Sequence, residues 1–217
     1  MSKSKKHSKV FFVTGIDTNV GKTLVCAILT EAFQADYFKP IQSGTLEGAD
    51  HQAVESLISN SKTTIHPNIY SFPDPVSPHL AAKLVEEKIE LSKIKLPKTT
   101  NHLIVEGAGG VLVPINDEAT ILDIISPDMR VVVVTKNYLG SINHSLLTLN
   151  VLKEKGLQVV ALVVSGDRNP ETERIIQQMS GVPIWFAIEQ EPYIDQNVVA
   201  EYAEMVQDTE IFKQLIA

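Results

Sequence analysis

Apolar residues in this chain gather into short runs divided by longer amphipathic stretches. Val10-Phe11-Phe12-Val13 is the first, and Tyr37-Phe38-Lys39-Pro40-Ile41, Leu103-Ile104-Val105, Val131–Val134, Val159–Val164 and Ile184–Ile188 follow. Each run is too short for a core helix, and the later ones are rich in β-branched side chains that suit a pleated strand. They are continuous rather than alternating, as expected for strands covered on both faces. Helical spacing predicts a helix behind Lys22, with Leu24, Val25, Ala27, Ile28 and Leu29 facing inward. It predicts further helices over Ala49–Ile58, Pro78–Glu87, Ser141–Lys155 and Glu171–Met179. Glu86–Thr100 reads as an amphipathic surface helix plus a connection, and Asp195–Ala217 as one or two surface helices. Strand–helix alternation of this kind predicts an α/β fold, doubly wound, with a mostly parallel sheet and helices on both faces. Ligands of such sheets bind beyond the carboxyl ends of the strands. The segments placed there are Gly15–Thr23, Lys39 with Gln42-Ser43-Gly44, Glu106–Gly110, Thr135-Lys136-Asn137 and Ser165-Gly166-Asp167.

Composition narrows the picture. The chain has 217 residues, 44% hydrophobic and 21% charged, which suits one domain over 1–217 with a sizeable core. Its net charge of −7, from 19 basic and 26 acidic residues, disfavours a nucleic-acid partner but leaves room for a local site that holds an anionic nucleotide. Cys26 is the only cysteine, so no internal disulfide can form, and its place behind the first loop suits a small buried hydrophobe. No apolar run approaches the ~18 residues of a membrane span. Met1–Lys9 is basic and polar and reads as a flexible tail, because the apolar run behind it is too short for a signal peptide. A soluble, cytoplasmic protein with no membrane partner is expected. The histidines, His7, His51, His66, His79, His102 and His144, show no metal-ligand spacing.

The chemistry centres on Gly15-Ile16-Asp17-Thr18-Asn19-Val20-Gly21-Lys22-Thr23. A strand, a glycine-bounded loop, Gly-Lys-Thr and a helix make the layout of a phosphate-binding loop. Glycines let backbone N–H groups converge, and the helix start adds unpaired donors and a positive dipole end. Lys22 supplies charge for the β- and γ-phosphates, and the Thr23 hydroxyl can ligate Mg²⁺. The usual loop has four residues between its glycines, and this one has five. Glu106 ends an apolar run, where a carboxylate calls for an ion pair or a bound cation. Asp50 reads either as a helix N-cap or as a second acidic partner for Mg²⁺. Lys39 is either a snorkelling edge lysine or a fixed cation for charge developing in phosphoryl transfer. Ser43-Gly44 is a turn or a substrate contact. Ser77-Pro78-His79 and Ser141-Ile142-Asn143-His144 each read as helix starts, the second with N–H groups able to receive a carboxylate.

These residues resemble one family, the dethiobiotin synthetases. The family's G-T-D-T-x-V-G-K-T loop, with its five-residue spacing, is matched by Gly15–Thr23, and K-P-x-x-S-G by Lys39–Gly44. S-P-H is matched by Ser77-Pro78-His79, V-E-G-A-G-G by Val105–Gly110, and G-x-I-N-H by Gly140–His144. The resemblance implies a P-loop fold and a homodimer. It implies ATP-dependent carboxylation of 7,8-diaminononanoate with CO₂ or bicarbonate to dethiobiotin, ADP and phosphate. An amine captures CO₂ as a carbamate, a carbamate oxygen attacks the γ-phosphorus, and the second amine closes the ring on the mixed anhydride. Lys22 and Lys39 take the catalytic roles. Asn19, Val20, Gly21, Lys22, Thr23 and Leu24 hold the phosphates, with Gly107, Ala108 and Gly109 alongside the phosphates and the carbamate. Thr23, Asp50 and Glu106 hold Mg²⁺, Ser43 touches the substrate, and Asn143 receives its carboxylate across a dimer interface. Two departures stand out. Ile16 replaces a loop threonine, and Gly166 falls where relatives place an adenine-reading asparagine, so weak base discrimination is expected. The alternative from another class is a nucleotide switch of the partitioning-ATPase kind, although Ile16 and Asp17 stand where those proteins carry an extra lysine.

Overall fold

A computed structural model describes residues 8–217. The chain enters β1 (Val10–Gly15), turns through the loop and continues as α1 (Lys22–Phe33). Gln34, in the left-handed region at φ 49°, ends that helix, and β2 (Asp36–Phe38) begins at once. Then follow β3 (Ile41–Ser43), α2 (Asp50–Leu57), β4 (Ile65–His66), β5 (Tyr70–Phe72) and α3 (Pro78–Leu84). After an irregular stretch come β6 (Leu103–Gly110), β7 (Arg130–Lys136), α4 (Ser141–Glu154) and β8 (Gln158–Ser165). The chain closes with α5 (Pro170–Ser180), β9 (Ile184–Ile188), α6 (Gln196–Gln207) and α7 (Glu210–Ile216). The last helices start where side chains replace missing backbone partners: Asn169 accepts from Thr172 N–H, Asp195 from Asn197 and Val198, and Thr209 from Phe212.

A seven-stranded sheet runs in the order β4-β2-β6-β1-β7-β8-β9, every neighbouring pair parallel. β1 lies at its centre, fully buried from Phe11 to Val13. Helices cover both faces: α1 packs with α2 and α6, and α4 packs with α5. The doubly wound parallel expectation holds, with three local corrections. The run Tyr37–Ile41 is not one strand. β2 stops at Phe38, Pro40 has no N–H to give a ladder, and β3 pairs instead with β5 in a separate two-stranded sheet. Glu86–Thr100 holds only a 3₁₀ turn at Leu91–Lys93, because Glu86 at φ 56° ends α3 and the apolar residues Ile89, Leu91, Ile94 and Leu96 pack on the core without helical structure. The expected tail falls mostly on residues outside those described. Lys9, its last residue, is tied down: its N–H donates to His102 Nδ1 at 3.1 Å and its ammonium to the Leu215 carbonyl at 2.7 Å.

Candidate phosphate-transfer site

The loop after β1 wraps around the start of α1, and its shape depends on close approaches. Gly21 sits at φ 91°, and a Cβ there would come within 2.6 Å of Ser165 Oγ, so the end of β8 presses directly on the loop. Gly109, at φ 68° near the end of β6, could carry no Cβ without meeting Val113 Cγ2 at 2.8 Å. Lys22 is buried and donates from Nζ to the Asp17 carbonyl at 2.9 Å. Burial holds its ammonium below the usual lysine range; Glu106 opposes that shift and the Lys39 charge adds to it.

Beside the loop, β2, α2 and β6 bring their polar residues to one point. Glu106 is 1% exposed. Its Oε1 lies 3.0 Å from both Lys39 Nζ and Thr23 Oγ1, and its Oε2 accepts from the Tyr37 hydroxyl at 2.8 Å. Lys39 also pairs with Asp50 Oδ2, while Asp50 Oδ1 lies 3.0 Å from the Thr23 hydroxyl. Burial works to lower the Lys39 ammonium, but Glu106 and Asp50 outweigh it and hold that group above the usual lysine range. Burial likewise works to raise the Asp50 carboxyl, and Lys39, Thr23 and Gln42 overcome it, so the carboxyl lies below its usual range. Lys39, at 5% exposed, is therefore not a snorkelling edge residue. Nor is Asp50 an N-cap. Ala49 takes that position, Asp50 is the first helical residue, and its own N–H donates to Gln42 Oε1 at 3.0 Å. Glu106 does form the buried ion pair that was one of its two readings.

A cavity of about 880 Å³ opens over these groups. Asn19, Gly21, Lys22, Thr23, Leu24, Lys39, Ser43, Asp50, Glu106, Ala108 and Gly109 all line it, so most of the expected site is brought together. Ser43 Oγ is buried there without a hydrogen-bond partner among the described residues. Val20 and Gly107 do not line the cavity: the Val20 side chain is buried in the core, and a Cβ at Gly107 would point at the Phe12 ring, 3.0 Å away, which leaves only their backbone groups for a ligand. Asn143 is exposed on the first turn of α4 and does not line this cavity. Its neighbour His144 borders a second, apolar cavity of about 530 Å³ with Ile16, Asp17, Leu112 and Leu147. Tyr37 was missed, because a tyrosine inside an apolar run reads as core. The signal available was its i, i+2 spacing with Lys39, which turns both to one side of the extended chain.

Among the described residues no three His, Cys, Asp or Glu side chains form a metal cage. The oxygen donors at hand suit Mg²⁺ nonetheless. Thr23 Oγ1 has one proton to share between two carboxylate oxygens at equal distance, so three hard oxygens crowd one point, with Lys39 as the other donor beside them. Mg²⁺ favours this kind of site, with one or two carboxylates completed by phosphate and water.

Residues 9–198 match the model of a family described as "AAA domain". The ATP-dependent dethiobiotin synthetase BioD of Christiangramia forsetii is 45% identical over 196 residues, 90% of this chain and 95% of that protein. The BioD of Cytophaga hutchinsonii is 46% identical over 197 residues, with the same coverage of each. The chain belongs to the dethiobiotin synthetase family. Solved structures of more distant proteins share the fold alone. The MinC:MinD cell division complex of Aquifex aeolicus superposes with TM-score 0.57 at 14% identity, covering 94% of this chain and 97% of that one. The pNOB8 ParA structure superposes with TM-score 0.57 at 11% identity, covering 96% of this chain and 97% of that one. The partitioning-ATPase alternative thus has a shared scaffold behind it, whereas near full-length sequence identity lies with the synthetases.

Proposed function

We propose that this protein performs the ATP-dependent carboxylation and ring closure of 7,8-diaminononanoate to dethiobiotin, in the cytoplasm, as a step of biotin synthesis. The observation that carries the reading is the convergence of Lys22, Thr23, Lys39, Asp50 and Glu106 on one cavity in a chain 45% identical to a synthetase across 95% of that protein. The chemistry asks for charge rather than for a protein nucleophile. A carbamate anion must approach a γ-phosphate, and fixed cations lower that repulsion.

Each side chain then has a task. The backbone from Asn19 to Leu24 cradles the phosphates, and Lys22 turns its ammonium from the Asp17 carbonyl to their oxygens. Lys39 faces the carbamate and the transferring group. Ser43, whose hydroxyl lacks a partner among the described residues, hydrogen-bonds the diamine substrate. Ala108 and Gly109 leave the wall of the cavity low, so that substrate and phosphate can meet. Thr23, Asp50 and Glu106 would hold Mg²⁺, which supplies charge neutralisation on the phosphate oxygens. Asn143 enters the reading through a second copy of the chain, its helix start receiving the substrate carboxylate in the neighbouring cavity. Supporting this, Leu112, Leu139, Ile142 and Leu147 are exposed around the start of α4.

The test is coupled turnover. Phosphate release should require both the diamine and bicarbonate, and mass spectrometry should find dethiobiotin in equal amount. Slow ATP hydrolysis indifferent to both substrates, with no dethiobiotin, would instead assign the chain to the nucleotide switches.

A further inference from the structure

Tyr37 is 0% exposed, and among the described residues its hydroxyl has one partner, Glu106 Oε2 at 2.8 Å. A phenylalanine would fill the same space, so packing alone gives no reason for the oxygen. A buried hydroxyl costs free energy unless it is bonded, and this one spends its bond on a carboxylate at the centre of the site. The support beneath it is rigid. β2 is hydrogen-bonded on both sides, and Tyr37 stands opposite Ile104, just before Glu106 on β6. Lys39, two residues on and on the same face of the chain, takes the other oxygen of the same carboxylate.

The two donors differ in what the reaction asks of them. Lys39 bridges Glu106 and Asp50, yet its role requires the ammonium to serve a substrate anion. As it turns away, Oε1 of Glu106 loses a donor and can face a cation. Without the Tyr37 bond, Thr23 alone of its three donors would hold the carboxylate, at Oε1, and Oε2 would be free to swing. We propose that Tyr37 is the positioning residue for Glu106. Its hydroxyl pins Oε2 so that Oε1 stays aimed at Thr23 and the cation while Lys39 moves to the substrate. This rests on the reading of Glu106 as a metal ligand given above.

Tyr37→Phe removes one oxygen and keeps the ring. Mn²⁺ serves as the probe, titrated by electron paramagnetic resonance into protein saturated with a non-hydrolysable ATP analogue. Partners that orient a ligating carboxylate commonly contribute tenfold or more to metal affinity, so Mn²⁺ binding should weaken at least about tenfold. Analogue binding in EDTA should be unchanged, and kcat should fall while KM for the diamine holds. Should the bare ring disturb the core, as altered analogue binding in EDTA would reveal, Tyr37→Met carries the same expectation. Glu106→Gln separates the two levels of the argument. If Glu106→Gln loses Mn²⁺ while the Tyr37 variant binds it like wild type, Tyr37 is a core residue and the proposal falls. If Glu106→Gln also binds Mn²⁺ like wild type, the metal reading of Glu106 fails and takes the proposal with it.

Discussion

Lys22 sits against its own loop, donating to a carbonyl five residues earlier, so it is placed before any phosphate needs it. Its replacement by alanine removes the charge from the loop. Lys22→Ala should keep the folded circular dichroism spectrum and abolish turnover, a loss of at least ~3 kcal/mol in transition-state stabilisation, comparable to losing a preorganised donor. Near wild-type rates at saturating ATP would sink the loop assignment. Asp50 and Glu106 make a subtler pair, since each holds Lys39 as well as facing Thr23. Asp50→Asn and Glu106→Gln should both raise the Mg²⁺ concentration needed for half-maximal activity. An unchanged Mg²⁺ dependence in Asp50→Asn would leave that residue as an anchor for Lys39 only.

At the scale of elements, Asp36 shows how β2 is fastened. Its carboxylate accepts from Thr64 N–H at 3.0 Å, Thr99 Oγ1 at 2.6 Å and Asn101 Nδ2 at 3.3 Å, and lies 3.3 Å from His66 Nε2. Burial works to raise this carboxyl, yet the hydrogen bonds from Thr99, Thr64, His66 and Asn101 outweigh it and hold it below its usual range. The stability it contributes is therefore fully present above the unfolded value of about 4 and is lost as pH falls through the lower folded value. Asp36→Ala should cost roughly 1–3 kcal/mol in urea unfolding at neutral pH, with the deficit shrinking in acid. The end of β8 abuts the phosphate loop, where Ser165 meets Gly21. Gly166, at φ 84°, offers no side chain, and the Lys136 stem passes 3.4 Å from where a Cβ would stand. Phosphate contacts are the same for every base, so GTP or CTP should support turnover within about tenfold of ATP, ~1.4 kcal/mol or less; a preference above a hundredfold would require another residue to read adenine. Strand ends were the legible part of this molecule. Lys39 and Glu106 stood out as charges in apolar runs, and Gly15–Thr23 as a spaced motif. β4 and β5, only two and three residues long, left no periodic trace. The irregular stretch before β6 misled because its leucines and isoleucines do face the core, though from no regular element. Asp50 carried two meanings in the sequence, and the position of Ala49 removes the N-cap.

For the whole molecule, the apolar groove beside α4 predicts assembly. Sedimentation should find a dimer, and Leu147→Asp, which places a charge in that groove, should shift it toward monomer and raise KM for the diamine, because Asn143 would no longer reach a neighbouring site. A monomeric wild type with full activity would remove Asn143 from the substrate reading. The sheet order carries a consequence for biogenesis. β1 and the loop behind it are made before β6 and β7, the strands that flank β1, whose Phe11 pairs with Ile104 on one side and Arg130 on the other. Loop-closure entropy must be met before such distant pairings repay it. During synthesis the Val10–Val13 segment therefore waits, apolar and unpaired, until β6 is complete at Gly110, and its other edge stays open until the chain has grown past Lys136. That interval exposes a sticky strand to chaperones and to aggregation. A nascent chain stalled before β7 should hold no nucleotide, although every residue of its phosphate loop has already been translated.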